Sequence, residues 1–197
     1  MTTARKPAAE KPILVFRDMH GWNAWLDEHH RTSSGVRLRL AKKASGVQSV
    51  SYDDALDVAL CYGWIDGTRK SEGDASWLQT FTPRGKRSIW STRNREKALA
   101  LIERGEMQPA GLAEVERAKQ DGRWDAAYDS PGRMAVPDDL QAALDANARA
   151  RSFFDTLDSR NRYAILFRLH NAKRAETRAK RLREFVAMLA RREKIHP

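Results

Sequence analysis

A chain of 197 residues with 41% apolar content is long enough for one compact unit, or a domain with a smaller helical appendage, and needs no covalent staples to fold. No apolar run approaches the roughly 18 residues of a membrane span, and MTTARKPAAEKP lacks the apolar centre and cleavage pattern of a secretory signal, which excludes membrane insertion and makes the cytoplasm the expected location. The formal charge of +10 divides into +5 over residues 1–50, −1 over 51–135 and +6 over 136–197; basic ends around a neutral middle point to an anionic partner such as nucleic acid, a phosphorylated metabolite or an acidic protein surface.

Residues 1–11 are small, polar and aperiodic, and are expected to form a disordered tail. Ile13 to Phe16 read as a short strand, and Asp18 caps a helix whose Trp22, Trp25 and Leu26 fall at helical spacing, ending at His29-His30-Arg31. Val36, Leu38 and Leu40 alternate with Arg37, Arg39 and Ala41, the pattern of a strand with one buried and one basic face. A helix from Ser51 through Tyr62 has Asp53 and Asp54 in its first turn and stops at Gly63. Trp64–Arg69 and Trp77–Phe81 read as two strands joined by SEGDAS. After Thr82-Pro83-Arg84-Gly85, Ser88 or Ser91 caps a helix to about Arg104, and Pro109 opens another that ends before Gly122.

Turn residues Asp129, Ser130, Pro131 and Gly132 mark a linker over 124–136. Beyond it the pattern is helical: one helix from Pro137-Asp138-Asp139, a second over Ala148–Leu157, a third over Ser159–Asn171, and a last from about Ala175 with an inward stripe expected at Ala175, Ala179, Leu182, Val186 and Leu189. The expected fold is therefore α+β. A small, mainly antiparallel sheet with helices spans 12–123, and a bundle of three or four helices spans 137–197.

The segments ALCYGWIDG, FTPRGKRSIWSTRN, GEMQPAGLAEVERAKQDGRW and AKRAETRAKRLREFV resemble the YdeI/OmpD-associated, OmdA-like bacterial family, often called bacteriocin-protection proteins. The resemblance runs from about residue 13 to the C-terminus and implies a role in protection against bacteriocins or envelope stress. It implies a periplasmic setting, from which this sequence departs by lacking an export signal, and it attaches no reaction. A protein at +10 repels cationic peptides at long range, so simple capture of such peptides is disfavoured.

The sharpest ligand candidate is the basic loop Arg84, Lys86, Arg87 and Ser88, which runs into a helix. A helix start exposes unpaired N–H groups and partial positive charge, so these side chains would complete a phosphate or carboxylate site. Trp64 and Trp90 offer faces for a flat group, Asp66 would orient an arginine or accept a ligand hydroxyl, and Asn94 follows on the same helix. Arg174, Arg178 and Arg181, at i, i+4 and i+7, would extend a basic ridge along a phosphate backbone. The leading expectation is a non-enzymatic stress or resistance protein that binds an anionic small molecule or nucleic acid. The alternatives are an enzyme acting on a small phosphorylated or carboxylated substrate, with Asp66 as base or orienter and Arg84 as clamp, and an adaptor that binds a protein partner through the helical bundle. Cys61 has no histidine near it in sequence and suits a buried structural thiol; as the lone cysteine it also excludes an internal disulfide. No metal or cofactor motif is present, His29-His30 included, and the pattern assigns no catalytic residue and no oligomeric state.

Overall fold

The computed structural model describes residues 10–197. The tail expected at 1–11 lies, through residue 9, outside the described residues. The chain divides into two compact units, residues 10–90 with 94–126 and residues 91–93 with 127–197.

The first unit is built on a four-stranded sheet in the order β1-β2-β4-β3. Strand β1 (Ile13–Leu14) lies parallel to β2 (Val36–Ala41), and β4 (Ser76–Pro83) pairs antiparallel with both β2 and β3 (Trp64–Ser71). Both strands of the β3–β4 hairpin run longer than their apolar cores predict. Helix α1 (Met19–His29) is capped by Asp18, whose carboxylate accepts from Gly21 N, and α2 (Tyr52–Cys61) by Ser51, whose hydroxyl accepts from Asp54 N. Each cap satisfies one of the orphan N–H groups at a helix start.

Period two sorts the sheet. Val36, Leu38 and Leu40 stand opposite Phe81, Gln79 and Trp77, so all six share one face, while Arg37 and Arg39 take the other. Trp22 and Leu26 of α1 and Ala55, Leu56, Ala59 and Leu60 of α2 are fully buried. Trp22 meets Trp64 and Phe81 at ring separations of 6.2 and 5.8 Å, and its indole N–H donates to Ala55 O at 3.0 Å. One side chain thus joins both helices to the sheet.

Helices α3 (Thr92–Glu103) and α4 (Pro109–Gln120) follow. Lys97 Nζ reaches Asp57 at 2.7 Å and Asp53 at 3.7 Å, tying α3 to α2. Helix α4 crosses the C-terminal end of α2 at near-backbone contact: a Cβ on Gly111 would fall 2.2 Å from Cys61 O, and one on Gly63 would fall 2.9 Å from Ala110 O. Gly63 also has φ +71, a conformation that disfavours any side chain. Trp124, at the head of the expected linker, is buried and packs edge-on against Trp90 at 4.8 Å. It belongs to the core of the first unit.

The second unit contains α5 (Asp138–Asp145), α6 (Ala148–Asp155), α7 (Ser159–His170) and α8 (Ala175–Ala190). Leu140, Leu144, Ala150, Phe154, Ile165, Leu166, Leu169, Phe185 and Leu189 form its core. The inward stripe of α8 keeps the expected Leu189, which is buried, and Leu182 and Val186, which pack on that core, but Ala175 and Ala179 are exposed and buried Phe185 joins the stripe instead. Phenylalanine buries far more apolar area than alanine, so Phe185 sets the rotation of the helix. Buried Asn161 donates to Asp158 and to His196 O and accepts from His196 N at 2.9 Å, which holds the C-terminal segment against α7. No helix among the described residues is long and apolar enough to cross a membrane.

The α2–α4 crossing gives a direct test. All six tryptophans lie in the first unit, so their fluorescence during urea unfolding reports on it. Gly111→Ala forces the crossing apart and is expected to cost at least about 1–3 kcal/mol. Gly85→Ala, in the same unit, where a Cβ would meet only the Ser88 hydroxyl at an ordinary contact distance of 3.7 Å, is expected to change stability by less than about 0.5 kcal/mol.

Candidate functional site

The residues expected to form one site are distributed over several environments. Trp64 is 1% exposed inside the Trp22–Trp25 cluster, with its indole N–H bonded to His30 O at 3.2 Å. Trp90 is also 1% exposed, under the Arg84 guanidinium at 3.5 Å and beside Trp124. Neither ring presents a face on which a base or planar ligand can stack, so the stacking role does not survive; the larger gain is in burying the rings. Asn94 is buried in α3.

The basic loop spends its guanidinium chemistry internally. Arg84 is buried and donates to Ile89 O at 3.3 Å, Arg117 donates to Gly85 O at 3.3 Å, and Arg123 donates to Ser88 O at 2.6 Å. Three arginines therefore hold three loop carbonyls. Glu114 pairs with Arg117. Burial holds the Glu114 carboxyl above its usual range, against the opposing pull of Arg117, Arg84 and Arg123. Ser88 closes a turn with Gly85, accepting from Gly85 N and donating its own N–H to Gly85 O, both at 2.9 Å, and so does not cap a helix. Of the four side chains expected to form the anion site, Lys86 and Arg87 are exposed.

Helix α3 begins at Thr92. Its N–H donates to Tyr128 O at 2.8 Å and its hydroxyl to the Asp129 carboxylate at 2.8 Å. The negative group expected at this helix start is supplied by the chain itself. The ridge of the last helix is likewise closed. Arg178 gives Asp139 a bidentate pair at 2.6 and 2.8 Å and donates from its remaining nitrogen to Leu169 O, and Arg181 donates to Arg168 O at 2.6 Å. Arg174, at the N-cap of α8, is exposed. The expected phosphate-tracking row thus shrinks to a single outward arginine, because two carbonyls near the end of α7 and one carboxylate take the other two.

Asp66 lies in a polar cleft. Strand β3 carries a bulge between Asp66 and Arg69: Asp66 stands opposite Phe81 and Arg69 opposite Gln79. Three positions apart, these residues would point to opposite faces in a regular strand, and the bulge brings both to the face of Trp77 and Gln79. With Tyr52, at the first turn of α2, and Gly67 they line a cleft of about 500 Å³. Tyr52 donates its hydroxyl to Asp66 Oδ2 at 2.8 Å, and the Arg69 guanidinium lies 4.4 Å from the centre of the Trp77 ring. Gln79 is 4% exposed and donates from its amide to Gly67 O at 3.0 Å, which braces the bulge from below. The Trp77 indole N–H is buried without an acceptor among the described residues. The site joins an ordered carboxylate, a stacked cation and an aromatic wall, which suits recognition of a small polar molecule.

Sequence reasoning reached Asp66 and the tryptophan-rich stretch but assigned no role to Tyr52, Arg69, Trp77 or Gln79. A glutamine on the apolar face of WLQTF was a readable signal. Arg69 gave none, because only the bulge decides its face.

Residues 14–114, just over half of the chain, match the family described as a domain of unknown function, DUF8412. Residues 133–192 match the family described as Bacteriocin-protection, YdeI or OmpD-Associated. The chain belongs to the first family and carries the OmdA segment of the second. No curated protein and no solved structure matches it. The resemblance to the OmdA family is thus shown for the C-terminal segment, whereas ALCYGWIDG and FTPRGKRSIWSTRN fall within the DUF8412 match, as do all the cleft residues. Arg178 and Arg181 are OmdA-segment residues, and what the structure assigns them there is cohesion.

Two predictions follow from these environments. Burial, with Glu106 and Asp57 adding to it, pushes the Cys61 thiol up to about 11, so it stays unreactive toward a disulfide reagent at pH 8 in the native protein and reacts at once after unfolding in urea. Arg178 holds the Asp139 carboxyl below its usual range, so the pair's contribution is full above the unfolded value near 3.9 and is lost as pH falls through the lower folded value. Asp139→Asn is therefore expected to lower the stability of the second unit at pH 7 by about 1 kcal/mol or less, given the half-exposed pair, and the gap to wild type should close in acid when followed by circular dichroism.

Proposed function

We propose that the chain is a bacteriocin-protection, YdeI-type protein that acts by binding, holding a small ligand with an acidic group in the cleft of Tyr52, Asp66, Arg69, Trp77 and Gln79. The observation that carries this reading is the Arg69 guanidinium on the rim of an aromatic-walled cleft, stacked on Trp77 and without a carboxylate partner among the described residues. Arginine in this setting offers a planar fork for a carboxylate or phosphate. Nucleic acid is the weaker fit: Trp64 and Trp90 have no open faces, and Arg178 has no free nitrogen for a phosphate. Protection through a small ligand also avoids the long-range repulsion between a +10 protein and cationic peptides.

The test is survival of the host under a panel of bacteriocins, in a strain lacking the chain and complemented with variants. Wild type and the loop-tip variant Lys86→Ala with Arg87→Ala are expected to restore survival. Arg69→Ala and Trp77→Ala, confirmed as folded by circular dichroism, are expected to leave it at the level of the deletion strain. Full protection by the cleft variants would overturn the proposal.

A further inference from the structure

We infer that the ligand of this cleft is a zwitterion of the amino-acid type, its carboxylate on Arg69 and its ammonium on Asp66. The inference rests on the cleft being a ligand site and adds the second charge. Asp66 and Arg69 face the same cleft with opposite signs, yet they make no ion pair with each other or with any other side chain among the described residues. Each is held away from the other: Asp66 by the Tyr52 hydroxyl at 2.8 Å, Arg69 by its stacking on Trp77. Their β4 partners, Phe81 and Gln79, are two residues apart, which separates the two positions by about 7 Å along the strand.

Charge decides among ligand classes. A ligand with only anionic groups gains at Arg69 and is repelled by Asp66, and one with only a cation meets the reverse. A molecule carrying both gains at both ends and leaves neither charge of the cleft desolvated without a partner. The Trp77 ring, on which Arg69 is stacked, forms the wall at the carboxylate end. A cleft of about 500 Å³ falls in the range of small-molecule sites and is too confined for a folded partner.

Isothermal titration of the full chain with the twenty standard amino acids, each beside the carboxylic acid that lacks its amine (phenylalanine beside 3-phenylpropionate, for example), tests the assignment. At least one amino acid is expected to bind about tenfold or more tighter than its deaminated counterpart, the order of one charge-assisted contact. Asp66→Asn, which keeps the shape and an acceptor for Tyr52, should abolish that difference by weakening the amino acid and tightening the deaminated acid, which no longer meets a like charge. Tyr52→Phe, which frees the carboxylate without altering its charge, should reduce the difference, and Arg69→Gln should weaken both ligands. Equal affinity for an amino acid and its deaminated acid would overturn the zwitterion and leave the acid-binding cleft standing. Absence of binding by either series, with the Trp77 indole N–H resonance unmoved, would overturn both.

Discussion

The bulge between Asp66 and Arg69 is the constraint on which the chemistry of the first unit depends. A strand with strict period two separates positions 66 and 69 onto opposite faces, and Arg69 would then join Arg37 and Arg39 on the basic side of the sheet. One extra residue in β3 turns it over. The cost of that irregularity is met locally: Gln79, buried on the neighbouring strand, donates to Gly67 O, and the Thr68 and Thr80 hydroxyls lie 3.2 Å apart on the other face. A polar residue in an otherwise apolar row thus serves the backbone first, and it leaves a polar floor where the helices no longer cover the sheet.

That floor keeps its shape because the opposite end of the same face is rigidly packed. Trp22, Trp25, Trp64 and Phe81 interlock at ring separations of 5.4 to 6.2 Å, and the close α2–α4 crossing at Gly63 and Gly111 fixes the C-terminal end of the helix whose first turn supplies Tyr52. A rigid element carrying a hydroxyl to a carboxylate orients it better than a loop does. Packing at one end of α2 and hydrogen bonding at the other are therefore parts of one arrangement.

Much of the fold was legible because its signals are local. Asp18 and Ser51 cap their helices as their residue types predict, the alternation from Val36 to Leu40 marks a half-buried strand, and the helices α1 to α7 each begin or end near a cap, proline or glycine visible in sequence, whereas α8 has none. What stayed hidden depends on contacts between distant residues. The parallel pairing of β1 needs Ile13 to find Arg37, and the inward face of α8 is decided by the volume of Phe185 rather than by alanine spacing. The candidate site was half legible for the same reason. Aromatic richness pointed to the right stretch, but nothing local separates Trp77, which lines a cleft, from Trp64 and Trp90, which are core.

The arginines make the same point about charge. Counted along the sequence they suggest surfaces that attract anions, yet Arg84, Arg117, Arg123, Arg178 and Arg181 all donate to backbone carbonyls. A guanidinium has five N–H donors in a rigid plane, which suits it to hold turns and helix ends whose carbonyls lack partners. Charge spent this way still raises the net total, so +10 overstates what the surface offers a ligand. Arg69 differs in kind: its plane rests on an indole rather than on a carbonyl or carboxylate, an interaction that orients the fork without consuming its donors. What separates Arg69 from the clamped arginines is therefore the absence of a polar acceptor at its head among the described residues, which Arg84, Arg117, Arg123, Arg178 and Arg181 do not share.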